Sequence, residues 1–482
     1  MRTLRLRHCL FAWTIVGLGF VKPATERIQD NDVWWHIRTG ELIVAHRAIP
    51  SADPFSFTCH GRPWFAHEWL SEVAIYEVFA HLGFIGLMLM EAALVSALFG
   101  VIYVLVRGRL DHQPSTLAIT ALCGLAGWQL WSPRPQSFTY LLLGLLVLLL
   151  QRRSQGWYVW LAVPMFLVWS NLHGAWLFGF AVMTVFLVEE GIRAYRQGHR
   201  RIARRDAAIW LCSIFAAMIG PSPLKRLTYP IQYFTGGIPT AQVTEFQSPN
   251  FRDPSALPFE MLVIVLVLLL FLGRRPLPLS QWILLGLTFH LSLSSVRHIP
   301  LFAIIAAPVA AMQVQAVIER RIPATRRDIR ESRAFNLILL MLIPALLVAR
   351  IPKANDEYHC VARGLFPDQA CRYLAEHPRI GRGRLLNTYN WGGYLIFRLY
   401  PKYLVSIDGR ADIHRAHMMR DYADLEKLSP NWRSTLTKLN PDVILWPANK
   451  PLSVILRGDP DWREVYADSV SVVFSRRNSN DP

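Results

Sequence analysis

Residues 29–72 read QDNDVWWHIRTGELIVAHRAIPSADPFSFTCHGRPWFAHEWLSE. Two aspartates, Asp30 and Asp32, stand one residue apart ahead of Trp34, Trp35 and His36. Asp53, His67 and Glu68 follow, with five tryptophans and phenylalanines after Ile49. Just upstream, Arg2, Arg5 and Arg7 precede an apolar run from about Cys9 to Val21, and long hydrophobic segments then fill most of the chain to about residue 352. A loop rich in carboxylates and aromatics directly after a first membrane span reads as a reaction site, with the rest of the chain as its scaffold.

Composition agrees with a polytopic membrane protein: of 482 residues, 52% are hydrophobic. A net charge of +17 raises the question of nucleic acid, and its distribution answers it. The segments 1–9, 107–114, 151–156, 189–206, 273–277 and 317–334 carry 21 Lys/Arg against 7 Asp/Glu. These are alternate loops between apolar runs, so the charge is the positive-inside bias that orients helices. A nucleic-acid partner is excluded on that ground.

No small-residue cleavage site follows Val21 cleanly, so the first run is expected to remain as a helix with the N-terminus in the cytoplasm. The loop 22–81 then lies outside. Within it, HEWLSEVAIYEVFAHLG places Trp69, Leu70, Val73, Tyr76 and Phe79 on one helical stripe, with Ile75 off that face and Glu68, Glu72 and Glu77 at polar positions. That pattern predicts a helix lying in the membrane interface. Further spans are expected at about 84–106 and 115–131, then, after the outer turn SPRPQS, one returning by about Leu150, one at 157–170, one descending to the basic segment 193–205 and one at about 207–219. One descending to Arg274 and Arg275, one rising to SSVRHIP, one descending to ERRIPATRRDIRESR and one at about 335–351 follow, about 11 in all. An odd number puts the C-terminal region outside with the first loop.

From about Pro352 the composition becomes that of a soluble domain. Helical stretches at 367–376 and 418–428 alternate with strand-like runs at 443–446 and 470–474, predicting a small α/β domain over 353–482. The fold class is therefore mainly α, a transmembrane domain over 1–352 followed by a small C-terminal α/β domain. Cys9, Cys123 and Cys212 sit in or beside apolar runs as packing residues, and Cys59 has no local partner. Cys360 and Cys371 are placed outside the cytoplasm, where a disulfide is permitted, though spacing does not establish one.

The suspicious polar residues gather at the outer ends of the spans: Asp30, Asp32 and His36, then Arg134, Asn171, His173, Arg297 and His298. Each alone could cap a helix or meet a phospholipid head group. Together on one side they suit a cleft in which carboxylates face a nucleophile or metal while arginines hold an anion. A carboxylate there takes a proton from an acceptor hydroxyl, or holds a divalent cation against a phosphate. Trp34 and Trp35 suit stacking on a sugar ring, although anchoring at the interface is the commoner use of such tryptophans. Asp53, before Pro54, is most simply a turn residue. NWGG and DGRADIH, with Asp408, Arg410 and Asp412, read first as structural turns and second as acceptor contacts.

DNDVWWHIRTGE, after one span and in an outer loop, resembles the first-loop motif of the GT-C superfamily of membrane glycosyltransferases, which includes oligosaccharyltransferase catalytic subunits and protein O-mannosyltransferases. Asp32 with Trp34 and Trp35 matches the order of an Asp followed by aromatics. IPSADPFS and NWGGYL…IDGR look like a bacterial GT-C-like branch. The resemblance covers about 350 residues. It implies transfer of a sugar from a polyprenyl-phosphate donor to a glycan, lipid or protein acceptor at the periplasmic face of the inner membrane, among membrane lipids. It implies Asp32 as catalytic base or metal-linked carboxylate, for Mg²⁺ or Mn²⁺, and Arg297 or Arg134 as a contact for the donor phosphate. Many relatives carry an adjacent Asp-Glu pair, whereas Val33 follows Asp32 here, leaving Asp30 as the nearest second carboxylate. The rival readings are a lipid-linked glycan polymerase or ligase, in which arginine and histidine carry the reaction, and a non-catalytic carrier-lipid binding protein. Transport would place polar residues deep in the spans, and Glu91, Ser96 and Ser213 are few.

Overall fold

The computed structural model describes residues 6–152, 156–234, 243–321, 333–350, 360–361, 364–377, 380, 383–414 and 416–477. The basic stretch 322–332, most of the expected junction near 352, and part of the outer loop at 235–242 lie outside the described residues. In chain order the helices are α1 (Leu6–Thr25), α2 (Val33–His46), α3 (Trp69–Arg107), α4 (Gln113–Ala126), α5 (Pro135–Arg152), α6 (Ala162–Leu172), α7 (Trp176–Arg196), α8 (Arg200–Ala217), α9 (Pro223–Phe234), α10 (Leu257–Gly273), α11 (Leu279–Ser294), α12 (Ile299–Arg321) and α13 (Arg333–Arg350). Then come α14 (Asp368–Glu376), β1 (Arg384–Asn387), α15 (Gly392–Leu399), β2 (Leu404–Val405), α16 (Ala416–Lys427), α17 (Trp432–Leu439), β3 (Val443–Pro447), α18 (Pro451–Arg457), β4 (Trp462–Ala467) and β5 (Ser471–Arg476).

Contacts divide the chain into two compact units. One comprises Met1–Glu26, Phe84–Pro230 and Val243–Asn355, the other Arg27–Gly83, Ile231–Gln242 and Asp356–Pro482. The division after residue 83 has a local cause: α3 is broken at Gly83, whose φ of 61° and ψ of −154° suit a residue without a Cβ.

The first unit is helical. Among the described residues three helices are long and apolar enough to cross a membrane: Trp69–Arg107, Pro254–Gly273 and Val296–Arg321, of 39, 20 and 26 residues. Others of the expected spans coincide with shorter helices, such as the 14-residue α4 and the 11-residue α6. Its core interleaves α3, α4, α5, α6 and α12 through Phe99, Cys123, Leu143, Phe166, Trp169 and Phe302. Close approach rests on small residues, as a Cβ at Gly124 would lie 2.3 Å from the Phe99 ring. In a bilayer such packing, rather than exclusion of water, holds helices together. Two of the deep polar groups have partners on neighbouring helices: Ser137 donates to Glu91 Oε1 at 2.8 Å, and Ser96 to the Val16 carbonyl at 2.9 Å. Cys123 is buried, but Cys212, expected to pack, is exposed.

The second unit is built on a five-stranded sheet in the order β2-β1-β3-β5-β4. β1 runs parallel to both β2 and β3, while β5 is antiparallel to β3 and β4. Trp446, Phe474, Leu425, Leu452, Leu456 and Trp462 form a core of this unit. Both strands are buried at consecutive positions, on both faces, which explains the unbroken strand-like runs at 443–446 and 470–474. Cys360 and Cys371 are both buried in it. NWGG is not a turn: Tyr389–Trp391 make one turn of 3₁₀ helix that leads into α15.

First-loop residues complete this sheet. Ser56 bridges in parallel to Val405, with Phe57 N donating to Val405 O at 2.9 Å and Val405 N to Phe55 O at 3.1 Å. The loop therefore covers the β2 edge, which would otherwise present unpaired backbone groups.

Candidate active site

Within the second unit, Asp32 stands at the N-terminal end of α2, where helix dipoles favour a carboxylate. It offers no side-chain cap. Its Oδ1 accepts from Trp35 Nε1 at 3.2 Å, and its backbone N–H donates to Asp30 Oδ1 at 2.8 Å. Asp30 and Asp32 are thus brought together, and both remain half-exposed. The DGR turn presses against them: a Cβ at Gly409 would lie 1.8 Å from Asp32 Oδ1 and 3.3 Å from Trp35 Nε1.

Trp34 and Trp35 have separate fates. Trp34 is fully buried, edge-on to Phe366 and Tyr394 at 5.2 and 4.9 Å between centroids. Its faces are unavailable for stacking on a sugar, which corrects the expectation for that residue. Trp35 keeps 6% of its surface, and its indole N–H points to the Asp32 carboxylate.

His36, expected to bind substrate, is instead buried in the helix–helix seam, with Nδ1 3.4 Å from Glu72 Oε1. The seam is tight because a Cβ at Gly40 would lie 2.1 Å from the Glu72 carbonyl oxygen. His36 and Gly40 are one helical turn apart and so share a face. The facing stripe differs from expectation. Glu68, Ser71, Glu72 and Ile75 are buried, whereas Trp69, Leu70, Val73, Tyr76 and Phe79 are only half-buried. Hydropathy alone put the glutamates outward; tertiary packing turned them in. His67 Nε2 lies 3.4 Å from Glu68 Oε1. Burial pushes the nearby Asp412 carboxyl up, with His67 and Arg410 opposing it.

Asp53 is more than a turn residue. Its carboxylate accepts from the backbone N–H of Phe55 and Ser56 at 3.0 and 3.2 Å and from the Ser56 hydroxyl. It also lies 2.8 Å from Arg410 Nη1. Arg410 binds Asp408 through two parallel contacts, Nε–Oδ1 at 2.8 Å and Nη2–Oδ2 at 2.7 Å. The guanidinium sits between the Phe55 and Trp64 rings, 4.9 and 4.8 Å from their centroids. Burial would raise the Asp408 carboxyl, but Arg410 and His414 outweigh it and hold it well below the usual range. Asp408 and Arg410 are almost wholly buried, so they are unsuited to contacting an acceptor, and the structural reading of DGRADIH holds for them. Cys59, without a local partner, meets distant ones: its Sγ is 3.7 Å from Ile413 O and 3.9 Å from His414 Nδ1.

The first unit gathers a second group. Arg297 Nη2 lies 3.2 Å from His173 Nε2, and Thr139 Oγ1 2.9 Å from His173 Nδ1. The Ala175 backbone N–H also donates to His173 Nδ1 at 3.3 Å. Trp169 Nε1 donates to the same Thr139 hydroxyl at 2.9 Å. Arg134 pairs with Glu245, a residue the sequence reading missed. Its one signal was being the lone acid between Pro221 and Asn250. Burial would raise Glu245, but Arg134 and then Arg297 prevail and hold it below the usual range. The Glu245 loop is pinned by Ser295 Oγ donating to the Glu245 carbonyl at 2.7 Å, and Arg297 lies 5.0 Å over the Phe246 ring. His298 turns away to the Leu291 carbonyl at 3.2 Å. Asn171 accepts Arg226 Nη2 at 2.6 Å, a contact that closes the α6 end.

No protein-family model matches the chain, and no curated protein matches it by sequence. Solved structures do match. The archaeal oligosaccharyltransferase AglB from Archaeoglobus fulgidus, in complex with an inhibitory peptide and a dolichol-phosphate, aligns at TM-score 0.60 and 12% identity, covering 98% of this chain and 74% of that one. The arabinofuranosyltransferase AftD from Mycobacteria aligns at TM-score 0.55 and 14% identity, covering 98% of this chain and 42% of its own. Both are GT-C membrane glycosyltransferases. The chain has the GT-C fold.

Proposed function

We propose that the chain is a membrane glycosyltransferase that moves a sugar from a polyprenyl-phosphate donor to an acceptor hydroxyl or amide, at the periplasmic face of a bacterial inner membrane. The observation that carries this reading is the Asp32 carboxylate. It is aimed by Trp35 Nε1 and admitted by a glycine at 409, yet stays half-exposed among buried neighbours. A general base must be both oriented and reachable. The fold of AglB and AftD supports the same reaction class by analogy.

In the proposed reaction Asp32 accepts the proton of the acceptor as its oxygen or nitrogen bonds to the anomeric carbon. The bond from that carbon to the phosphate oxygen breaks, and the electron pair leaves with the polyprenyl phosphate, inverting the centre. Arg297 and Arg134 are the proposed contacts of the donor phosphate, for which guanidinium geometry is suited. Carboxylate oxygens are the donors Mg²⁺ or Mn²⁺ takes, so Asp32 with Asp30 would hold such an ion. When bound it supplies charge neutralisation at the leaving phosphate.

A second reading is favoured by the contact of Arg297 with His173. There arginine and histidine carry the reaction, as in a lipid-linked glycan polymerase or ligase. One experiment separates the two: protein in nanodiscs with a panel of polyprenyl-monophosphate sugars, carrier release followed by mass spectrometry, wild type against Asp32→Asn. Release by wild type alone is expected. Equal release by the variant would move the chemistry to Arg297 and His173. Binding without release by either protein would point to a carrier-lipid binding protein, and no binding to any donor would overturn the reading.

A further inference from the structure

The seam between α2 and the first turns of α3 brings an imidazole and two carboxylates together. Glu68 and Glu72 lie one helical turn apart on a buried face, where like charges repel. Arg410, the arginine that acts on Glu72 electrostatically, is already engaged by Asp53 and Asp408. Glu72 retains 1% of its surface, and its Oε2 has no hydrogen-bond partner among the described residues. A buried carboxylate oxygen left that way is costly, so it points to a ligand.

Donor atoms of His36, Glu68 and Glu72 all lie within 4.8 Å of one another. The tightest pair, His36 Nδ1 and Glu72 Oε1, is 3.4 Å apart. Two donors about 2.0–2.1 Å from a tetrahedral ion stand about 3.3 Å apart. That pair therefore already has the spacing, and Glu68 closes on the ion by a side-chain rotation. His67 Nε2, 3.4 Å from Glu68 Oε1, is placed to orient that carboxylate from outside the ligand set.

We propose that His36, Glu68 and Glu72 bind a divalent first-row transition-metal ion, of the zinc class, that clamps α2 to α3 and is distinct from any ion at Asp32. An imidazole nitrogen with two carboxylates selects zinc-like ions over Mg²⁺ or Ca²⁺, which take oxygen donors. The orphaned Oε2 of Glu72 supplies a further donor, and the ion offsets the two buried negative charges. Gly40 lets the helices approach closely enough for His36 to reach the carboxylates.

The test uses the full-length protein in nanodiscs, with any polyhistidine tag removed, stripped with chelator and dialysed against Zn²⁺. Elemental analysis is expected to find one zinc per chain and a higher melting temperature than the stripped protein, because an ion that binds only the folded state stabilises it. X-ray absorption of the wild-type protein should show nitrogen and oxygen donors at about 2.0–2.1 Å and no sulfur. Glu72→Gln and His36→Gln should each lose the zinc, while Asp32→Asn should retain it whatever its transfer activity. No zinc in the wild type, sulfur ligation, or unchanged stoichiometry in both seam variants would overturn the proposal. The wild-type measurements decide the matter even where a variant does not fold.

Discussion

The Arg410 guanidinium lies 2.8 Å from the Asp53 carboxylate, and both side chains are almost wholly buried. One comes from the C-terminal segment, the other from the first loop. The parallel bridge of Ser56 to Val405 joins the same two segments, and Asp408 pairs with the other side of the arginine, with His414 beside it. This ion triad joins first-loop and C-terminal residues in one unit, directly beside the Gly409 that meets Asp32.

Removing one carboxylate should therefore be severe. Asp408→Ala leaves Arg410 buried with Asp53 alone, and breaking a buried pair costs about 3–5 kcal/mol. Replacing Asp53, Asp408 and Arg410 together with apolar residues of similar volume should cost much less. Thermal unfolding of the purified protein distinguishes the two. A fall in melting temperature no larger for Asp408→Ala than for the triple variant would refute the ion-triad account.

The same group sets an acid limit. Because the folded Asp408 carboxyl is held well below its usual range, it contributes stability that is present above the ordinary aspartate value and is lost as pH falls below it toward the folded one. The melting temperature should be insensitive to this group from pH 5 to 8 and should drop below about pH 4. Asp408→Asn should flatten that drop, and an equally steep acid limb in the variant would count against it.

Trp34 and Trp35 should separate in a stability assay. Trp34→Ala empties a fully buried aromatic site and should cost about 3–5 kcal/mol. Trp35→Phe removes the hydrogen bond to Asp32, about 1 kcal/mol, and replaces the buried indole by a smaller phenyl ring rather than emptying the site. The expectation is a large melting shift for the first and, for the second, a smaller shift with reduced carrier release. Unchanged stability in Trp34→Ala would mean that its burial contributes little.

Two glycines make a sharper contrast. At Gly409 an added Cβ meets the end of the Asp32 side chain, which can rotate away; at Gly392 it would lie 2.2 Å from the Ile407 carbonyl oxygen, which cannot. Gly409→Ala should fold normally and transfer slowly because Asp32 is displaced. Gly392→Ala should be destabilised. Circular dichroism melting alongside the carrier-release assay reads both, and full activity in Gly409→Ala would separate Asp32's position from the chemistry.

Several parts of the fold were legible in the sequence because they are local. Apolar runs and flanking arginines located the helices at 6–25, 135–152, 257–273 and 299–321, since hydropathy and charge act within one segment. β3 and β5 announced themselves by apolar runs, and Asp30 and Asp32 by their spacing ahead of α2. What hydropathy misread were residues whose environment comes from elsewhere in the chain. Trp34 is core because Phe366 and Tyr394 fold onto it, and Glu68 and Glu72 face inward because Gly40 admits their helix. Glu245 matters because Arg134 and Arg297 arrive beside it. Periodicity reports which residues share a face of an element; only the tertiary structure decides what that face meets. The helices and the candidate base could be read from the order of residues alone, whereas the Arg410 triad, the buried glutamates and the partner of His173 depend on contacts between segments far apart in sequence.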